Sequence, residues 1–261
     1  MTQDTYAIEI FLTCYKAIID GKLITRGSAG DKEFHFQNWF TERLAESGIL
    51  YDQSGRNTYP DFTMVHKPEG YEVKGLAFPG REASYDANSQ VPTGFHNGRT
   101  IFYLFGRYPA ARGEREYPVV DLVLCHSDFL NAHHEYSHKN KSVKGFGSYG
   151  DILIRDRKMY VAPTPYAVAQ GTTGRRTLIL PSDVEVDDRI EAVGQLIRSE
   201  AAQLVVGYRF NLTTNDLTPE YIPNPNVGKA HPFTAYRVRG EAGPAVTLAS
   251  ALPLFADEED E

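Results

Sequence analysis

Residues 60–75 read PDFTMVHKPEGYEVKG, which places Asp61 ahead of Glu72 and Lys74 across what reads as one tight β-hairpin. Two carboxylates brought together with nothing between them repel. A hard divalent cation such as Mg²⁺ removes that conflict, because it takes oxygen ligands and keeps several of its own waters. Lys74 beside those waters can hold a hydroxide or stabilise charge on an attacked phosphate. The chemistry such a group performs is metal-assisted hydrolysis of a phosphodiester, with water attacking phosphorus in line with the leaving oxygen.

The hairpin must position these groups. Pro60 stiffens the approach and Lys67-Pro-Glu-Gly70 is a turn sequence. With that four-residue loop, Phe62–His66 pairs with Tyr71–Gly75: His66 opposes Tyr71, Val65 opposes Glu72, Thr63 opposes Lys74 and Asp61 opposes Leu76. Side chains alternate along a strand, so Asp61, Thr63, Val65, Glu72 and Lys74 share one face in this register. Diagonal neighbours on a face lie roughly 7–8 Å apart, within reach of a shared ion. A loop of odd length would reverse the parity.

Ahead of the hairpin, Asp4 is positioned to cap a first helix running to Ile19, with Gly21 as its stop. A second helix is expected over 31–47, stopped by Gly48, with Phe36, Phe40 and Leu44 as its apolar stripe. Strand-like runs follow at 100–105, 119–125, 151–155, 159–162, 177–180 and 204–210. Ser127 can cap a short helix, and Asp187 or Asp188 can open another through about Ala202. In the proline-broken C-terminal region only 235–239 reads as a strand. No repeat of 20–50 residues is visible. The pattern predicts a mixed α/β or α+β chain around a central sheet.

Pro60-Asp61, ten intervening residues and then Glu72-Val73-Lys74 resembles the PD-(D/E)xK motif of restriction-endonuclease-like nucleases. The resemblance covers about Asp31 to Gly75. It implies a mixed central sheet flanked by helices, with Asp61, Glu72 and the Val73 carbonyl as ligands of Mg²⁺ and Lys74 as the catalytic lysine. Such nucleases often carry an acidic or amide residue on the helix before the hairpin. Glu33 and Gln37 are the candidates here, and Gln37 is preferred because it neighbours the apolar stripe. The resemblance further implies 5′-phosphate and 3′-hydroxyl products, and a homodimer for cutting both strands of duplex DNA. A type II restriction enzyme, with a DNA methyltransferase as genetic partner, fits a chain of this size. The alternatives are an anti-phage, repair or modification-dependent nuclease of the same fold, and a non-catalytic DNA-binding module in which Lys74 merely pairs with Glu72.

Other motifs carry less. Gly145-Phe-Gly-Ser-Tyr-Gly150 is a literal GxGxxG, but a dinucleotide site needs a strand before it and a helix after it, and a strand-like run follows here. His134 and His138 have helical metal-pair spacing without an evident third ligand, so a solvated or DNA-facing surface is the better reading. Lys139, Lys141, Lys144, Arg155, Arg157 and Lys158 stand against Asp151 and Asp156, a local charge of +4 in a chain of net −7. That asymmetry suits a nucleic-acid cleft, with a solvated loop as the plain alternative. Asn88, Gln90, Arg99, Lys139, Lys141, Lys144, Arg155 and Arg157 are the candidate DNA contacts, since Asn and Gln can read adenine edges and Arg guanine. Phe233 and Tyr236 read as structural.

The bulk numbers set outer limits. A chain of 261 residues that is 41% hydrophobic can bury one large core, so a single domain over 1–261 with inserted or C-terminal recognition elements is expected. Its net charge of −7 argues against a general polybasic DNA coater; part of it lies in an acidic tail at 257–261. Two cysteines cannot staple a fold of this size, and no apolar run approaches the roughly 18 residues of a membrane span. A cytoplasmic, reducing location and no membrane partner are the matching expectations.

Overall fold

The computed structural model describes residues 5–25, 34–53, 59–80, 83–87, 91–109, 115–133, 135–136, 143–144, 147–155 and 158–249. Helix α1 (Ala7–Ile19) buries Ile8, Ile10, Phe11, Cys14 and Ala17 along one side. Asp4, the expected cap, lies outside the described residues. The backbone N–H of Tyr6, just before the first turn, donates instead to both carboxylate oxygens of Glu69 at 3.2 Å. Helix α2 (Phe34–Ser47) ends as expected at Gly48, whose φ of 71° admits the left-handed turn that stops a helix.

The principal strands are β1 (Tyr51–Gln53), β2 (Phe62–Met64), β3 (Glu69–Phe78), β4 (Arg99–Pro109), β5 (Asp121–His126), β6 (Arg176–Pro181), β7 (Ile190–Ser199), β8 (Gln203–Asn211), β9 (Asp216–Pro223) and β10 (Ala230–Val238). One nine-stranded mixed sheet runs in the order β7-β10-β6-β5-β4-β3-β2-β1, with the short strand Phe95–His96 also paired to β4. Two neighbouring pairs, β3 with β4 and β5 with β6, are parallel. Strand β4 is apolar from Ile101 to Phe105 because both its faces are covered, as central strands require.

The two faces carry separate cores. Tyr71, Val73, Phe102 and Leu104 point to α1 and α2, while Leu76, Ile101, Tyr103 and Phe105 point to the other layer. That second layer holds a small sheet of Leu153–Arg155, Lys158–Pro163 and Ser84–Asp86 and the root of the β8–β9 ribbon. One cysteine lies in each core, Cys14 under the helices and Cys125 in the other layer; both are free thiols, fully buried. A bidentate ion pair from Arg107 to Asp121 ties β4 to β5 in the interior, with Gly174 N–H also donating to Asp121 at 2.7 Å.

Helix α2 is seated over two glycines that face it side by side. Gly75 and Gly106 are register partners, and a Cβ at Gly106 would lie 2.0 Å from the Phe36 ring. A Cβ at Gly75 would lie 2.7 Å from Phe36 Cβ. The Phe36 ring thus occupies a seat made by missing side chains.

Two sequence expectations are corrected. The segment from Asp187 to Ala202 is not a helix; it contains strand β7, an edge strand paired along its length with β10. Ile190, Val193 and Ile197 are β-branched and suit a pleated surface, and Gly194 lets the Val246 carbonyl approach where a Cβ would lie 2.0 Å away. The C-terminal region also holds more strand than 235–239: β10 starts at Ala230, and β9 was not foreseen. Pro219, Pro223 and Pro232 are all accommodated within these strands, Pro219 and Pro223 in β9, which pairs only with β8. The short helix after Cys125 is a single turn, Ser127–Phe129, capped by the His126 side chain rather than by Ser127. Among the described residues, no helix is long and apolar enough to cross a membrane.

Candidate active site

The β2–β3 pairing aligns Phe62 with Tyr71 and Thr63 with Gly70. Continuing that register one step sets Asp61 directly opposite Glu72. The turn is therefore Val65–Pro68, two residues earlier than the sequence suggested, because β3 already begins at Glu69. A shift by an even number keeps the parity of every side chain, so the expected shared face for Asp61, Glu72 and Lys74 survives the change of register.

At this end of β2 each acid accepts a backbone N–H from the facing strand. Asp61 Oδ2 accepts the Val73 N–H at 2.8 Å, and Glu72 Oε2 accepts the Asp61 N–H at 3.2 Å. Lys74 Nζ lies 2.7 Å from Glu72 Oε1. In an extended strand the N–H and C=O of one residue point to the same edge. The Val73 carbonyl therefore points to the side of β3 on which Asp61 sits, just past the end of β2. Asp61, Glu72, Lys74 and the Val73 carbonyl thus converge at one step of the sheet edge.

Local packing fixes this step. Gly70 lies under Pro60, and a Cβ there would meet Pro60 Cγ at 2.4 Å. Only glycine lets the chain before Asp61 lie flat on β3. Arg99 donates to the Met64 carbonyl at 2.9 Å and bridges toward the Lys67 carbonyl, so it braces the hairpin turn. Behind Glu72 stands a wall of tyrosines that the sequence reading missed. Tyr59 and Tyr103 approach through their hydroxyls at 3.4 Å, and Tyr85 packs on Tyr103 with ring centroids 5.9 Å apart. Lys74 Nζ lies 6.0 Å from the Tyr85 ring centroid. Burial, with the Glu72 carboxylate nearby as a smaller cause, holds the pKa of all three phenols above the ordinary tyrosine value, so they stay neutral. The only sequence signal for this wall was the aromatic alternation of Tyr103 and Phe105 in β4.

Helix α2 approaches from the opposite face. Phe36 rests over Gly75, and Phe40 packs edge-on against Phe62 with centroids 5.1 Å apart, so α2 runs along β3 on the face away from Glu72 and Lys74. Trp39 Nε1 donates to the carbonyl of Lys22, three residues beyond the end of α1, at 3.2 Å. Gln37 is buried on this same helix. Glu33, the alternative, lies outside the described residues.

The expected DNA contacts divide in the same way. Asn88, Gln90, Lys139, Lys141 and Arg157 lie outside the described residues, as do His134, His138 and the tail at 257–261. Lys144 and Arg155 fall on short strands, Val143–Lys144 and Leu153–Arg155. Of the glycine-rich stretch, residues 147–150 are pinned: Ser148 bonds Asn131 through its N–H at 3.0 Å, and its Oγ accepts the Ala132 N–H at 2.7 Å. A strand follows it, not a helix, as the rejection of a dinucleotide site required. Phe233 and Tyr236 are buried in β10.

Two carboxylates and one carbonyl suit Mg²⁺, which commonly uses one or two carboxylates and fills its shell with water. Among the described residues no group of three or more His, Cys, Asp or Glu converges in the manner of a zinc or calcium cage. Compared with protein-family models, curated proteins and solved structures, the chain matches none.

Proposed function

We propose that this chain is a Mg²⁺-dependent DNA endonuclease of the PD-(D/E)xK kind, most simply a type II restriction enzyme acting as a homodimer on duplex DNA beside a cognate methyltransferase. The observation that carries the reading is the meeting of Asp61, Glu72 and Lys74 at one step of the sheet, with Asp61 opposite Glu72 and the lysine ammonium on the glutamate. In this reading Asp61, Glu72 and the Val73 carbonyl would hold Mg²⁺, which would supply positive charge and acidify water there. Glu72 aims the Lys74 ammonium at the reacting phosphate. Lys74 offsets the negative charge that grows as a water oxygen bonds to phosphorus and the bond to the 3′ oxygen breaks. The products are a 5′-phosphate and a 3′-hydroxyl. Gln37, on the helix ahead of the hairpin, would be the remaining member of the site, as the resemblance implies. The buried tyrosine wall excludes solvent behind Glu72 and so strengthens these charge interactions. The free cysteines accord with the cytoplasm as the site of action.

A second reading has its own support: the Glu72–Lys74 contact, at 2.7 Å and largely shielded, is a satisfied ion pair as it stands. A DNA-binding module with this pair as plain structure would bind without Mg²⁺ and would not cut. Incubation of the purified protein with phage DNA, in Mg²⁺ and in EDTA, separates the two. The nuclease reading expects discrete bands in Mg²⁺ alone, and none from Asp61→Ala or Lys74→Ala while DNA binding persists. A wild type that binds DNA and never cuts under any divalent cation overturns it.

A further inference from the structure

The antiparallel ribbon of β8 and β9 stands apart from the main sheet, and its two faces differ in kind. Tyr208 pairs with Pro219 and Phe210 with Leu217, and alternation puts Tyr221 on the same side. On the reverse side Gly207 pairs with Glu220, Arg209 with Thr218 and Asn211 with Asp216, and an Arg209–Glu220 ion pair at 3.1 Å crosses the strands. The apolar side is open: Tyr208 is 39% exposed, Phe210 47% and Tyr221 49%, and Leu212 at the tip is 88% exposed. At about 200 Å² per large side chain, these four residues show roughly 400 Å² of mostly apolar surface, within the range of patches that mark interaction sites.

We infer that this face docks on the same face of a second copy of the chain. Charge argues against nucleic acid as the occupant. From 203 to 223 the ribbon has one cation, Arg209, which is already paired, and two acids, Asp216 and Glu220. A duplex phosphate track needs several unpaired Lys or Arg side chains. Area argues for self-association. Two such patches face to face bury about 800 Å² of mostly apolar surface, close to the non-polar share of an interface of standard size. An antiparallel ribbon is also suited to a two-fold axis, since each strand then meets its own image. The ribbon roots in the same layer as the tyrosine wall, through Val205 in the core that holds Tyr85 and Tyr103. The docking rests on the ribbon itself; its consequence, two active sites cutting two strands, rests on the proposed function.

Analytical ultracentrifugation of the full chain, without DNA or metal, tests the docking. The wild type is expected to be dimeric. Phe210→Glu and Leu212→Glu should each weaken association by about tenfold or more, as expected for central interface anchors. Thr218→Glu on the polar face should leave it unchanged. Both disrupting sites are exposed, and an unaltered melting midpoint at low concentration, where wild type and variants are all monomers, checks their folding. A wild type that stays monomeric at its highest soluble concentration overturns the inference, as do disrupting variants that remain dimeric. So does a loss of duplex DNA affinity in those variants without any change of oligomeric state. On supercoiled plasmid the wild type should linearise, and the disrupted variants should nick. A dimer that never cuts leaves the docking supported and removes the proposed function instead.

Discussion

Lys74→Met separates a metal site from an ordinary ion pair. The Lys74 side chain is 27% exposed and that of Glu72 is 10% exposed, so the pair lies between a surface contact and a buried one. Breaking a surface pair costs up to about 1 kcal/mol, and breaking a buried pair costs about 3–5 kcal/mol because one charge is stranded. Glu72 keeps the Asp61 N–H as a donor after the substitution. The expected loss in EDTA is about 2 kcal/mol, which in a chain of this size lowers the melting midpoint by roughly 4–8 °C. The variant then presents two acids opposite each other with no ammonium on Glu72. If Asp61 and Glu72 form a cation site, millimolar Mg²⁺ restores part of the lost stability, by the linkage of ligand binding to folding. The expected result is a larger Mg²⁺-induced rise in midpoint for the variant than for wild type, without any DNA cleavage. The readout is differential scanning fluorimetry in Mg²⁺ against EDTA, with Asp61→Asn/Lys74→Met as the control that lacks half the site. A Lys74→Met protein whose midpoint is identical in Mg²⁺ and EDTA refutes the convergence of these carboxylates on a cation.

Gly106→Ala should destabilise by about 1–3 kcal/mol through overpacking, because the new methyl lands 2.0 Å from the Phe36 ring; urea unfolding should show Phe36→Leu relieving part of that cost, and additive effects would contradict the seat. Asp121→Ala strands the buried Arg107 guanidinium and the Gly174 N–H, so a loss of about 3–5 kcal/mol is expected in the same assay, and a loss below about 1 kcal/mol would show that the pair is not buried in solution. Burial raises the Glu69 carboxyl above its ordinary value. The native state therefore holds this proton longer than the unfolded chain, and the stability it contributes is full below about pH 4.5 and is lost as pH rises through the folded value. Glu69→Gln should flatten that part of the stability–pH curve, measured by urea midpoints; an unchanged slope would assign the proton elsewhere.

Much of the site was legible because it depends on parity. The spacing from Asp61 to Glu72 places both on one face for any even displacement of the turn, so a turn misplaced by two residues left the outcome intact. The glycine after Lys74 was visible too, although its reason was not: it needs the Phe36 side chain, brought from 39 residues away, to explain it. Long-range packing of this kind hid the rest. Tyr59, Tyr85 and Tyr103 come from three separate segments, and no local pattern joins them. The β7 segment misled because Asp187 and Asp188 are good helix openers, yet its neighbour β10 offers a full ladder of hydrogen bonds and tertiary pairing overrides the local preference. The C-terminal prolines suggested broken structure, but the two-stranded ribbon tolerates Pro219 and Pro223 on its unpaired edges, and Pro232 lies in β10 just beyond its last register pair with β6.

The two thiols give the molecule a built-in pair of clocks. Cys14 lies among the helices and Cys125 behind the opposite face of the sheet, and burial holds both thiols protonated and out of reach of reagents. Each reacts with an alkylating probe only when its own layer opens. Equal labelling rates under native conditions would mean that the protein comes apart as one unit. A faster Cys14 would mean that the helices lift from a sheet that is still whole.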